Sequence, residues 1–486
     1  MWERLSSSFW FLPGLLTTGS AALFYTVQYL DQVLRLDPSS LPVVFSGGAT
    51  AARSVLSAVS SSIITVAATI FSLTIIALQL ASAQYSPRLL RTFTADRGIQ
   101  VVLGAYIGTF LYSLLVLRII RTPESQGATT FNPVISVTVA IVLALACVAL
   151  LIYFIQHVAN MIQSSTIVRA AEKDAIKAIA NLGDLQGPSA QAEETVDPEE
   201  WSLAEDSLGD DPLVVQARAS GYVQYLDVDG VLRAAGEASM GGGTVIVEIP
   251  FGPGKFVAAG LPIVRIWPAG EMDPAFEEEV RQAFFFGRER SFKQDFAFGL
   301  RQLSDIALKG LSPGVNDPTT SMQAMDRIEA IFVALGSKAL PSRTQRRQIG
   351  DAKVLAKVGH YGFEDVAGLA FDQIRRSAFA SGQVAVLERL LETIQRALQA
   401  NPLPERQRVL WTRAFTVARL APGQVSDPHD AVSLLRGAVR IGAPLLETDL
   451  RTGVTFDLKE LAGISDELQG GEQVREVVDA ALKEPG

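Results

Sequence analysis

Four stretches within the first 160 residues are apolar and almost free of charge: Phe9 to Leu30, Val55 to Ala81, Ile99 to Ile120 and Val134 to Val158. A helix needs about 20 apolar residues to cross the hydrocarbon core of a bilayer, and each stretch meets that length. The second carries a further pattern. At 100° per residue, Ser54, Ser57, Ser61, Thr65, Ala68, Thr69, Ser72, Gln79 and Ala83 fall within one arc of about 120°, interrupted only by Ile75 and Ile76. Val59, Ile63, Val66, Ile70, Leu73 and Ala77 occupy the other side. Two roles fit such an arc: close packing against another helix, or facing water in a pathway. Ser and Thr hydroxyls bond their own helix carbonyls, which favours packing, whereas the Gln79 amide does not. His157 and Arg118 stand near span ends, where an interfacial or snorkelling position is expected rather than a proton relay.

Beyond residue 169 the pattern changes. Glu193 to Asp211 holds no basic residue and contains Glu193-Glu194 and Glu199-Glu200, as a solvated linker would. Short strand-like runs follow between 213 and 268, at Leu213-Val214-Val215, Gly221-Tyr222-Val223, Thr244-Val245-Ile246-Val247 and Leu261-Pro262-Ile263-Val264, with glycine turns between them. From Asp273 onward the chain reads as helical. Seven phenylalanines between Phe276 and Phe298 point to a core or a subunit interface. Arg301 and Asp305 stand four apart on an amphipathic helix and are placed to pair. That helix ends at Pro313-Gly314, and Asn316-Asp317-Pro318 reads as a turn in which Asp317 caps a helix with proline at its first position.

Composition then narrows the class. Hydrophobic residues make up 48% of the chain and mean hydropathy is +0.25, an excess that the apolar stretches account for. The net charge of −9 supplies no basic stripe for a nucleic acid. Cys147 is the only cysteine, so no intrachain disulfide forms. With the N-terminus inside, the inner flanks carry seven basic residues (Arg4, Arg88, Arg91, Arg97, Arg169, Lys173, Lys177) against four outside (Arg35, Arg53, Arg118, Arg121). The positive-inside rule then places both termini and the large C-terminal region in the cytoplasm.

Two resemblances follow from these segments. The order Gly221-Tyr222-Val223-Gln224, Gly254-Lys255-Phe256-Val257, Gly260-Leu261-Pro262 resembles the folded hammerhead of lipoyl- and biotinyl-like domains over about 50 residues. In that family a lysine at a hairpin tip carries the cofactor. The corresponding Ala238-Ser239-Met240-Gly241-Gly242-Gly243 has no lysine, so no cofactor is expected and the module reads as structural. Phe71-Ser72-Leu73-Thr74, Ala77-Leu78-Gln79-Leu80-Ala81-Ser82 and Ser86-Pro87-Arg88, with the run from Phe298-Gly299-Leu300-Arg301 to Asn316-Asp317-Pro318, resemble bacterial membrane proteins catalogued as domain of unknown function 2254. That resemblance spans nearly the whole chain. It implies a four-span protein of the bacterial inner membrane and supplies no activity or catalytic residues.

No catalytic or metal constellation competes with this reading. His157, His360 and His429 are far apart and lack cysteine neighbours, and no phosphate-binding loop opens a helix. His360-Tyr361 with Glu364-Asp365 is explained by a loop leading into a capped helix. The expected architecture is a four-span helical membrane domain over 1–160 and a helix extension with an acidic linker over 161–212. A small β barrel-sandwich-like module over 213–270 and a mainly helical cytoplasmic domain over 271–486 follow. The expected function is non-enzymatic: a homo-oligomeric channel or transporter-like protein, in contact with membrane lipids and a small ion or ligand. Ser57, Ser61, Thr65, Thr69, Ser72 and Gln79 would line its pathway, and Ile75 and Ile76 would constrict it. The alternative is a membrane-tethered cytoplasmic scaffold or sensor.

Overall fold

A computed structural model describes residues 10–34, 45, 47–84, 96–120, 133–161, 163–183, 196–206, 211–238, 243–268 and 274–483. The chain divides into two compact units, Met1–Ile167 and Val168–Gly486.

Among the described residues the first unit contains four long helices: α1 (Phe11–Leu34), α2 (Ala49–Gln84), α3 (Arg97–Ile119) and α4 (Val134–Met161). Among the described residues three helices are long and apolar enough to cross a membrane, and these are α2, α3 and α4. The 24-residue α1 is not one of them; Thr17, Thr18, Gln28 and Asp31 dilute its apolar content. It nevertheless packs closely on α3. Gly104 and Gly108 form a Gly-x-x-x-Gly ridge, and a Cβ added at Gly104 would sit 2.9 Å from the Pro13 Cα. A Cβ at Gly108 would collide with the Ser20 hydroxyl. Two apolar clusters fill this unit, one around Phe24, Leu56, Tyr112, Val116 and Val137, the other around Ile63, Ile70, Tyr106, Cys147 and Phe154. In both, α2 contributes its apolar side.

In the second unit, helix α5 (Ser164–Ala180) lies, from Val168 on, against the helices described below, with Glu172 3.1 Å from Arg327. The acidic stretch is not a linker throughout: Pro198–Asp206 forms helix α6. Trp201 and Ala204 pack on Val196, Ile246 and Leu355, while Glu200 pairs with Lys353 and Arg346. Basic side chains on the sheet hold the carboxylates, which a reading of the acidic run in isolation does not reveal. Residues 193–195 and 207–210 of that run lie outside the described residues.

Strands β1 (Leu213–Gln216), β2 (Gly221–Leu226), β3 (Gly243–Ile249), β4 (Phe256–Val257), β5 (Pro262–Trp267), β6 (Phe284–Gly287), β7 (Thr344–Ile349) and β8 (Ala352–Val358) build two sheets. The larger has order β1-β5-β3-β8-β7, the smaller β4-β2-β6. The expected barrel-sandwich hairpin is absent among the described residues. Strands β2 and β3 belong to different sheets, and helix α7 (Val228–Ala238) joins them. Val228, Val231, Leu232 and Ala235 recur at helical spacing, and that period outweighs the glycine-turn signal. Gly236 allows α7 to lie on the sheet, since a Cβ there would be 2.7 Å from Ile349 Cβ. Strand β3 pairs in parallel with β8, about a hundred residues later, so the sheet core is completed by the helical half of the chain. The remainder of the expected cofactor hairpin, residues 239–242, lies outside the described residues.

The rest is a helical array: α8 (Pro274–Gln282), α9 (Ala297–Gly310), α10 (Pro318–Leu335), α11 (Phe363–Ala367), α12 (Gln373–Ala380), α13 (Val384–Ala400), α14 (Pro404–Gln424), α15 (Pro428–Gly442), α16 (Arg451–Ser465) and α17 (Glu472–Lys483). Of the seven phenylalanines, Phe284 and Phe296 are buried, whereas Phe285 is half exposed.

Candidate functional site

The polar arc of α2 is turned away from the helices that α2 packs against. Ala52, Leu56, Ser60, Ile63, Ala67, Ile70, Thr74 and Ala77 are buried within the first unit. Ser57, Ser61, Thr65, Thr69, Ser72 and Gln79 are all exposed. Ile64, Thr65, Ala68, Thr69 and Ser72 together form a shallow groove on that surface. Four of the hydroxyls are internally satisfied: Thr65 donates to the Ser61 carbonyl at 2.8 Å, Thr69 to Thr65 at 3.1 Å and Ser72 to Ala68 at 2.9 Å. The Ser61 hydroxyl reaches Ala58 at 3.1 Å. Ile75 and Ile76 are exposed on the same helix, 41% and 49% respectively, together with Phe71, Leu73 and Leu80. The face is therefore mixed, with hydroxyls in the middle turns and large apolar groups toward the C-terminal end.

The residues singled out in the second unit form a separate arrangement. Arg301 and Asp305 pair along α9 at 3.0 Å. Asn316 adopts φ +46°, the left-handed region, and its side-chain oxygen accepts from Gln383 at 3.1 Å. Asp317 caps α10: its carboxylate accepts from the Thr320 N–H at 3.0 Å and from the Thr320 hydroxyl at 2.6 Å. Ser321 donates to the Ala307 carbonyl at 2.7 Å, which ties α10 to α9. Gly310 leaves room for this crossing, because a Cβ there would meet the Asp317 carbonyl at 2.7 Å. These contacts make a tight helical hairpin. We expect Asp317→Ala to cost about 0.5–2 kcal/mol of stability, read by thermal unfolding of the full-length protein, through loss of the cap.

Several polar groups that the sequence pattern did not single out are brought together. Asp96 caps α3 by accepting from the Ile99 N–H at 2.9 Å, and the same oxygen lies 2.8 Å from His157 Nε2 on α4. Asp31 caps α4 from a distance of about a hundred residues in sequence, accepting from the N–H groups of Ile135 and Ser136 at 2.8 and 2.9 Å. In the second unit Arg290 holds the fully buried Asp295 carboxylate with two hydrogen bonds, 2.7 and 2.9 Å. The Lys255 ammonium sits 4.2 Å above the Tyr361 ring beside them. Burial pushes His360 down to about 4, helped by the Arg343 charge, so its imidazole is neutral at neutral pH. Asp365 pairs with Arg343 and accepts from the Gly362 N–H at 3.0 Å, so this cluster closes the loop ahead of α11. No group of three or more potential metal ligands occurs among the described residues.

Comparison with known proteins agrees with the membrane reading of the first unit. Three relatives, all named as uncharacterized proteins, come from Mycobacterium bovis and two strains of Mycobacterium tuberculosis. Each is 32% identical over 445 residues, covering 90% of this chain and 81% of the relative. No solved structure matches the chain. Residues 6–396 match the family model described as "Predicted membrane protein (DUF2254)", and the chain belongs to that family.

Proposed function

We propose that the protein is a homo-oligomeric channel or transporter-like protein of a bacterial inner membrane, in which α2 lines a narrow polar pathway for a small ion or ligand. One observation carries this reading: the Ser57–Gln79 polar face is exposed, while the opposite side of α2 makes the packing within the chain. A second copy covering that face would enclose hydroxyl and amide groups able to replace part of an ion's hydration without a full charge in the bilayer. Ile75 and Ile76 would then form a dewetting constriction. The close contact of α1 with the Gly104/Gly108 ridge supports α1 as a fourth span. An even number of spans, together with the excess of basic residues on one set of flanks, puts both termini in the cytoplasm. The soluble half acts in regulation rather than catalysis.

Reconstitution into planar bilayers tests this. Wild type is expected to conduct, Thr65→Leu to lower the unitary conductance several-fold, and Ile76→Ser to raise the basal leak. A monomer by mass photometry, or silent wild-type and Ile76→Ser bilayers, would overturn it. A second reading, a tethered sensor or scaffold, is favoured by Thr65, Thr69 and Ser72, whose hydroxyls bond their own helix and need neither water nor a partner helix.

A further inference from the structure

A cleft of about 410 Å³ opens between α13, α15 and the start of α17, and its two main walls carry opposite charge. Helix α15 presents His429, Arg436 and Arg440, spaced seven and four residues apart and so aligned on one face. Helix α13 presents Glu388 and Glu392 across from them. Leu391 forms part of the apolar floor, where Gly437 allows the two helices to approach; a Cβ at Gly437 would lie 3.0 Å from Leu391 Cδ1.

Arg436 is the unexplained group. It is half-buried, and its Nε is buried without a hydrogen-bond partner. Arg281, Arg327 and Arg413 each leave one nitrogen unmet as well, but each is anchored on a carboxylate, Glu277, Glu172 and Glu364 respectively. Arg436 has no ion pair among the described residues. The carboxylates across the cleft do not reach Arg436: Glu388 accepts from the Ser433 hydroxyl on α15 at 2.6 Å, and Glu392 pairs with Arg389 at 2.6 Å. Arg436 lines the cleft, and a guanidinium without an ion pair is satisfied best by a planar carboxylate that takes two of its N–H groups.

We propose that this cleft binds a small zwitterion of amino-acid size, with its carboxylate on Arg436 and its ammonium toward Glu388 and Glu392. The wall charges set the class. A plain anion gains on α15 but is repelled by two carboxylates, and a plain amine meets the reverse penalty; a molecule with both signs gains on both walls. The volume lies at the small end of ligand pockets and is ample for an amino acid with water. The site stands whether or not the membrane unit conducts.

Calorimetric titration of the full-length protein in detergent tests the proposal, using each of the twenty amino acids, glutarate as a plain dianion, putrescine as a plain diamine, and inorganic phosphate. At least one amino acid is expected to bind saturably at about 1 mM or below. Arg436→Met should weaken it at least tenfold, and the double variant Glu388→Gln, Glu392→Gln should weaken it similarly while admitting glutarate. Arg440→Met and Glu392→Gln alter exposed side chains and serve if Arg436→Met fails to fold. The proposal is overturned if no amino acid binds. Glutarate, putrescine or phosphate binding as tightly as the best amino acid would also overturn it, as would affinity unchanged in Arg440→Met and Glu392→Gln.

Discussion

Asp295→Ala is expected to destabilise the second unit by about 3–5 kcal/mol, because it leaves Arg290 buried without its counter-charge. In a unit of this size that is a fall of roughly 5–10 °C in unfolding midpoint. The two side chains are 0% and 13% exposed, so water cannot replace the lost partner well. The ring faces of Tyr361 and Phe298, 5.8 and 5.1 Å from the guanidinium, offer only partial compensation. Gly254 reports on the same site independently. It adopts φ +84°, and a Cβ there would run into the Asp295 carboxylate, so Gly254→Ala should be destabilising in the same assay. The paired replacement Arg290→Met with Asp295→Leu removes both charges and should recover most of the loss. Thermal unfolding of full-length protein in detergent, followed by tryptophan fluorescence, separates these outcomes. If the double variant were as unstable as Asp295→Ala, packing rather than charge compensation would be what the pair provides.

How much of this was legible in the sequence depends on whether the deciding contact is local. The apolar runs of α2, α3 and α4 are legible because hydropathy and length are properties of one segment. The Asp317 cap is legible for the same reason: Asp-Pro followed by Thr320 contains donor and acceptor within four residues. The sheet was misread because its central pairing, β3 with β8, joins residues 243–249 to 352–358, and nothing local announces a partner that distant. The acidic run reads as a solvated linker because Arg346 and Lys353, which hold Glu200, lie about 150 residues later. The Gly104-x-x-x-Gly108 spacing was available as a signal for the α1–α3 contact. The polar face of α2 was visible as a pattern, but its outward direction depended on knowing which side the other helices occupy. The charged cleft between α13 and α15 had no sequence signature, since its walls only become opposed when the two helices pack.

Asp31→Ala is expected to loosen the start of α4 and to cost about 2–4 kcal/mol, combining a lost cap with stranded N–H groups. The first turn of any helix leaves N–H groups without intrahelical partners. In a membrane-embedded helix water is not there to take them, so a protein acceptor is needed. Asp31 is that acceptor: it is 9% exposed and binds Ile135 N–H, Ser136 N–H and the Ser136 hydroxyl. The bond also fixes where the end of α1 sits against α4, adding to the packing of α1 on α3. Asp31→Asn keeps one acceptor oxygen and should lose about half as much, while Ser136→Ala removes only the hydroxyl contact and should lose least. Hydrogen exchange of the Ile135 and Ser136 amides in detergent provides the local readout. Faster exchange there in Asp31→Ala, with the α2 amides near Ile63 unchanged, is the expected result. Equal protection in the variant and the wild type would mean that another group caps α4, and that α1 is held by its packing on α3 alone.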